Sequence, residues 1–211
     1  MTDLEIEAEY RLRHAGLLVP LAKTLQKHLS ENLKGVLRVD RVSARAKDPA
    51  RFIEKALKQA DDGQRKYADP FDQIQDQVGA RVVVFYLSDV DAVAEKLGKY
   101  YRRIEMKHIV PDSPSAFGYV GKHFILAMPE DLIEDGANRS RHPRFFELQI
   151  KTLFQHAWSE AEHDLAYKPE EPLTVDQKRH IAFTAAQAWG ADQFFSLLFA
   201  ERKQSAPQSL T

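Results

Sequence analysis

A chain of 211 residues, 44% of them hydrophobic, is long enough to bury a sizeable core without covalent staples, and one domain is the expectation. It contains no cysteine, which excludes a disulfide framework and a thiolate metal site and makes a reducing cytoplasm the expected location. With 30 basic against 31 acidic side chains the net charge is −1, so no global attraction to nucleic acid or anionic membrane exists and any anion-binding surface has to be local. No apolar run approaches the roughly 20 residues that span a bilayer, and Met1 to Glu9 lacks the basic and apolar regions of a signal peptide.

Leu4 to Leu33 has apolar residues at helical spacing, interrupted by Pro20, which predicts two helices or one kinked helix serving as a packing face. Val36 to Ala44 alternates apolar with charged residues as a half-buried strand does, and runs on into Arg45 and Lys47. Asp48 followed by Pro49 is a helix start, with the helix predicted to reach Ala60 before Asp61, Asp62 and Gly63 end it. Val78 to Leu87 is a valine-rich apolar run that suits a central strand buried on both faces.

A short helix is predicted over Asp89 to Leu97, and strands over Arg103 to Val110 and His123 to Met128, with a Pro and Ser loop between those strands closing at Gly118. In Phe145 to Lys151 the alternation sends Phe146, Leu148 and Ile150 to a core and Glu147, Gln149 and Lys151 to a polar floor. Helices follow over Leu153 to Tyr167 and Val175 to about Arg202. The predicted class is α/β (α+β): a mixed sheet of about five strands with helices packed on it.

The densest positive cluster is Arg38, Arg41, Arg45, Lys47, Arg51, Lys55 and Lys58. Arg51 and Lys55 lie one helical turn apart beside a helix N-terminus, an arrangement that suits a polyphosphate; a solvated helix face is the plain alternative. Asp76 stands just before the buried strand and Glu147 on the polar face of another. Carboxylates brought together from two strands are what Mg²⁺ needs when substrate phosphates complete its shell. The plain alternatives are a turn or cap for Asp76 and a strand residue paired with Arg81 or Lys151 for Glu147. Tyr119, after Gly118, can stack on a nucleobase or simply pack. His123 invites an acid/base role or a structural one. His156, Glu160, His163, Asp164 and Tyr167 share a polar helix face without the order of a metal motif.

In this order the segments resemble the synthetase domain of the RelA/SpoT family. The matching pieces are R-x-K-x₇-K at Arg45, Lys47 and Lys55, and D-x-x-G-x-R at Asp76, Gly79 and Arg81. They continue with G-Y-x-x-x-H at Gly118, Tyr119 and His123, E-x-Q-I-K-T from Glu147 to Thr152, and H-A-W-S-E-A-E-H-D-L-A-Y-K from His156 to Lys168. The resemblance implies a nucleotidyltransferase-like fold and a pyrophosphokinase that moves the β,γ-diphosphate of ATP onto the 3′-hydroxyl of GDP or GTP, forming the alarmones ppGpp and pppGpp. Residues 1–35 and 169–211 would then be helical extensions on a catalytic core at 36–168, with no room for the hydrolase and regulatory domains of the long family members.

The resemblance further implies that Arg45, Lys47, Arg51, Lys55 and Arg81 bind ATP, and that Asp76 and Glu147 hold Mg²⁺ and assist the attacking hydroxyl. Tyr119, His123 and Gln149 would face the acceptor. A homo-oligomer is an expected partner state. Arg51 stands where the family often has serine, and Phe117, Gly121 and Lys122 depart from the usual acceptor-side pattern. Those departures keep two alternatives open: relatives that modify adenosine nucleotides or the 3′ end of tRNA, and a catalytically inactive nucleotide-sensing domain.

Overall fold

The computed structural model describes residues 1–113, 116–118, 121–133, 139–166 and 172–205. Five strands form one mixed sheet in the order β1-β2-β5-β4-β3. They are β1 (Val39–Ala46), β2 (Val78–Val84), β3 (Arg103–Ile109), β4 (Gly121–Ala127) and β5 (Phe145–Thr152). The central pair, β2 and β5, is parallel, and every other pairing is antiparallel. This is the expected fold class.

Helix α1 (Asp3–Arg13) starts with a capping box in which the Thr2 hydroxyl accepts from the Glu5 amide. A π-turn over His14–Leu18 joins it to α2 (Val19–Asn32), with the Val19 amide reaching back to the His14 carbonyl. The wider turn lets Pro20, which has no N–H to give, sit early in α2 without breaking the rod. A continuous helical segment with a bulge is therefore what the predicted kink becomes. Ile6, Tyr10, Leu18, Leu21, Leu25 and Leu29 are its buried face.

Strand β1 begins three residues later than predicted because Gly35 and Arg38 both take positive φ, 77° and 60°, which is incompatible with a strand. The Arg38 guanidinium is fixed there by bidentate hydrogen bonds to Asp89, at 2.8 to 3.1 Å. Helix α3 (Pro49–Ala56) is also shorter than predicted. After Leu57 the chain turns back on itself, with the Ala60 amide bonded to the Gln64 carbonyl and Lys66 to Lys58 around Gly63. A one-turn helix, α4 (Pro70–Gln73), leads on to Asp76.

The predicted faces of β5 are the observed ones: Phe146, Leu148 and Ile150 are at most 1% exposed and share a core with Val78, Ala80, Val82 and Val84 of β2. Helices α2 and α5 (Leu87–Leu97) cover that face. Helix α6 (Leu153–Ala166) follows β5 directly and packs on α7 (Val175–Ser205). Among the described residues, no helix is long and apolar enough to cross a membrane.

Candidate active site

The face of the sheet that α2 and α5 leave uncovered carries the odd-numbered residues of β1, β2 and β5, and the register lines them up. Arg45 pairs with Gly79, Gly79 with Glu147, and Arg81 with Gln149. On the other side of β5, Gln149 pairs with His123 of β4. Four strands therefore bring residues more than 100 positions apart onto one surface, which local sequence pattern alone cannot show.

The loop ends are fixed with equal care. The Lys47 amide donates to the Gln77 carbonyl at 2.8 Å, so the end of β1 is tied beside Asp76. The Gln77 side chain, 2% exposed, donates to the carbonyls of Phe71 and Ile74 and anchors the turn from α4. Tyr10 stacks on Phe52 of α3 with ring centroids 3.7 Å apart and donates its hydroxyl to the Lys47 carbonyl at 2.8 Å. Asp48 caps α3 by accepting from the Arg51 amide.

Two cavities open on this surface. The larger, about 690 Å³, is lined by Arg41, Arg45, Lys47, Arg51 and Arg81, and by His156 and Glu160 of α6. The smaller, about 370 Å³, is lined by Lys55, Lys107 and His123. Asp76 and Glu147 line both, and so form the boundary between them. Gln149 lines the larger cavity and Lys55 the smaller. Tyr119, a candidate for the acceptor base, lies outside the described residues.

The carboxylates are already engaged. Asp76 Oδ2 accepts from Lys47 Nζ at 2.9 Å and Oδ1 from Lys55 Nζ at 3.0 Å. Burial acts to raise the Asp76 carboxyl, yet the two ammonium groups outweigh it and hold it below the usual carboxylate range. Glu147 Oε1 lies 2.9 Å from His123 Nδ1 and Oε2 accepts from Gln149 Nε2 at 3.1 Å. Burial again pushes upward, His123 and Gln149 pull down more strongly, and the nearby charge of Asp76 opposes them in part. Its place on the strand had suggested Arg81 or Lys151 as the partner of Glu147, and the hydrogen bonds it makes are to His123 and Gln149.

Helix α6 faces the cations. Arg81 Nη1 contacts Glu160 and lies 3.2 Å from His156 Nδ1, and Arg51 Nη1 lies 3.0 Å from His163 Nε2. The polar face of that helix thus serves as an arginine partner. Lys151 was legible as a member of the polar floor and as a possible partner of Glu147. It is 3% exposed and donates to Ser159 Oγ at 2.9 Å, and burial, with Arg81 nearby, lowers its ammonium to about 8.

The set can take a polyphosphate on the arginine and lysine side and present two ionised carboxylates to whatever meets it from the other. Each carboxylate oxygen has a second lone pair beyond the hydrogen bond it accepts, so the donor set also fits a hard divalent cation.

Likeness to known proteins bears on kinship. A GTP pyrophosphokinase of Bacillus subtilis (strain 168), YwaC, is 29% identical over 99 residues, which is 46% of this chain. That stretch is 44% of the relative, so the match covers less than half of its length. The crystal structure of small alarmone synthetase 1 from Bacillus subtilis superposes with a TM-score of 0.69 at 22% identity, covering 88% of this chain and 95% of that one. The same synthetase bound to its product pppGpp gives 0.68 at 20% identity, over 93% and 97% of the two chains. These likenesses carry the fold. The model of the region found in RelA / SpoT proteins matches residues 44–172, more than half of the sequence, and the chain belongs to the RelA/SpoT family.

Proposed function

We propose that this chain is an ATP-dependent pyrophosphokinase that transfers the β,γ-diphosphate of ATP to the ribose 3′-hydroxyl of GDP or GTP. The supporting observation is the position of Asp76 and Glu147 on the boundary between a cationic cavity and a second cavity that contains His123. A donor polyphosphate lies on the first side and an acceptor hydroxyl on the second. Transfer of this kind depends on alignment and on cations that neutralise developing charge, and the cradle supplies both.

In this reading Arg45, Lys47, Arg51 and Arg81 receive the ATP, and Lys55 approaches its terminal phosphates from the far side of Asp76. As the polyphosphate draws Lys47 and Lys55 toward itself, Asp76 is released. Asp76 and Glu147 would hold Mg²⁺, which neutralises charge on the transferred phosphates. Glu147, ionised at neutral pH and oriented by His123 and Gln149, accepts the proton of the attacking 3′-hydroxyl. Tyr119 stacks on the acceptor base.

Phe183, Phe194, Leu197 and Leu198 of α7 are exposed apolar side chains, and a second copy of the chain would cover them. A cytoplasmic location accords with nucleotide substrates.

The test is chromatographic identification of the product from ATP, Mg²⁺ and a panel of acceptors. A pyrophosphorylated guanosine nucleotide is expected. Product on ADP, ATP or tRNA alone would favour the toxin-like reading, and tight nucleotide binding without turnover the inactive one.

A further inference from the structure

Strand β3 ends the sheet and pairs with β4 alone among the described residues, so its other edge faces no strand. An edge of this kind is a template for another chain unless its side chains forbid the pairing. Those side chains are open on both faces. Met106, 50% exposed, stands on the face that carries its partner Phe124 of β4. Glu105 and Lys107 stand on the opposite face, where Lys107 Nζ lies 3.0 Å from Glu105 Oε1 and both residues line the smaller cavity.

The order of these charges is self-complementary. Two copies of one edge strand pair antiparallel about a two-fold axis, and the residue on that axis decides which charges meet. An axis at Glu105 sets that acid against its own copy, and an axis at Lys107 does the same with the amine. Like charges placed directly opposite one another are destabilising. An axis at Met106 sets Glu105 against the second copy's Lys107, and Lys107 against its Glu105, with the two Met106 side chains packed on the other face. The irregular step between Arg103 and Glu105 bends the strand at Ile104, which disfavours an axis there.

We propose that β3 is a self-association edge, through which two copies of the chain pair antiparallel in register about Met106 and join two five-stranded sheets into one of ten strands. The crossed Glu105 and Lys107 pairs then lie at the rim of the smaller cavity, so each copy supplies a charge to the other's cavity wall. This edge has no residue in common with the exposed face of α7. The pairing does not depend on the proposed reaction, and its failure leaves that reading standing.

The chain has no cysteine, so one introduced cysteine can link only to its own copy. Met106→Cys under mild oxidation is expected to give a disulfide-linked dimer, because residues opposite each other in an antiparallel pair have Cα atoms about 4.5 to 5.5 Å apart, within disulfide reach. His108→Cys is the control, since in this register its copy lies about 14 Å away, four residues of rise along the pair, and no link should form. Glu105→Lys and Lys107→Glu, each alone, set like charges opposite one another, and sedimentation should show association at this edge about tenfold weaker. Mixed together, the two variants present unlike charges again and should associate with each other as the parent protein does. No link in Met106→Cys, equal linking in His108→Cys, single charge variants that associate as the parent does, or a mixture that associates no better than its components would overturn the proposal.

Discussion

His123 Nδ1 lies 2.9 Å from Glu147 Oε1, across the antiparallel pair of β4 and β5, on the diagonal two residues from direct register. A carboxylate held this way keeps its second oxygen oriented by Gln149 and stays ionised. Removing the imidazole therefore changes both the aim and the basicity of Glu147. In His123→Gln, kcat should fall by roughly tenfold to a hundredfold. Because His123 lowers the Glu147 pKa, its loss raises that pKa, and the acid limb of the rate profile should move to higher pH. A pH series of initial rates on both proteins checks the direction.

Arg81 and Glu160 make the opposite kind of contact, one that a polyphosphate bound at Arg81 would have to break. Glu160 is half-exposed and neutralises an arginine of the larger cavity. In Glu160→Gln that competition is gone, and the KM for ATP should drop about two- to fivefold with kcat nearly unchanged, in line with a partly exposed ion pair of roughly 1 kcal/mol or less. A higher KM would show that Glu160 helps to place Arg81 instead of restraining it.

The buried Lys151 gives a stability prediction with a defined sign. Its ammonium titrates near 8 in the folded protein and near 10.5 when unfolded, so between those values the unfolded chain binds more protons. Stability contributed by this group rises with pH across that window and is weakest below 8. The full difference is on the order of 3 kcal/mol. Denaturant unfolding at pH 7 and pH 10 should show Lys151→Met gaining on the parent protein at the lower pH, and the advantage shrinking at the higher.

The packing under the site is testable separately. Phe52 is fully buried between Tyr10 and Phe71, with centroids at 3.7 and 5.6 Å. Phe52→Ala should cost about 3 to 5 kcal/mol in urea unfolding. Tyr10→Phe removes only the hydroxyl that meets the Lys47 carbonyl and should cost about 1 kcal/mol.

Much of this arrangement was legible in the chain before any coordinates. The period-two alternation of β5 named the core side, Phe146, Leu148 and Ile150, and the polar side that holds Glu147 and Gln149, because a strand offers its side chains only two directions. Asp48 and Pro49 marked the start of α3 through cap chemistry that operates within four residues. What escaped were features set by partners distant in sequence. The end of α3 depends on a reversal closed by Gln64 and Lys66, and the start of β1 on Asp89 capturing Arg38 from 51 positions away. The pairing of Asp76 with both lysines and of Arg81 with Glu160 follows from strand order, which pattern alone does not fix. The buried Asp192 sat in a helical stretch where an acid ordinarily faces solvent, and nothing in its neighbours marked it as internal.

The central claim is that Glu147 takes part in the transfer and is not a structural acid. Comparing Glu147→Gln with the parent protein tests it most directly, with binding of the ATP analogue AMPCPP measured by calorimetry and product formation measured from the same preparations. The prediction is analogue binding within about threefold and product formation lower by at least about a hundredfold, the usual scale of a lost proton acceptor. A folded variant that keeps more than about a tenth of the parent rate would contradict the account.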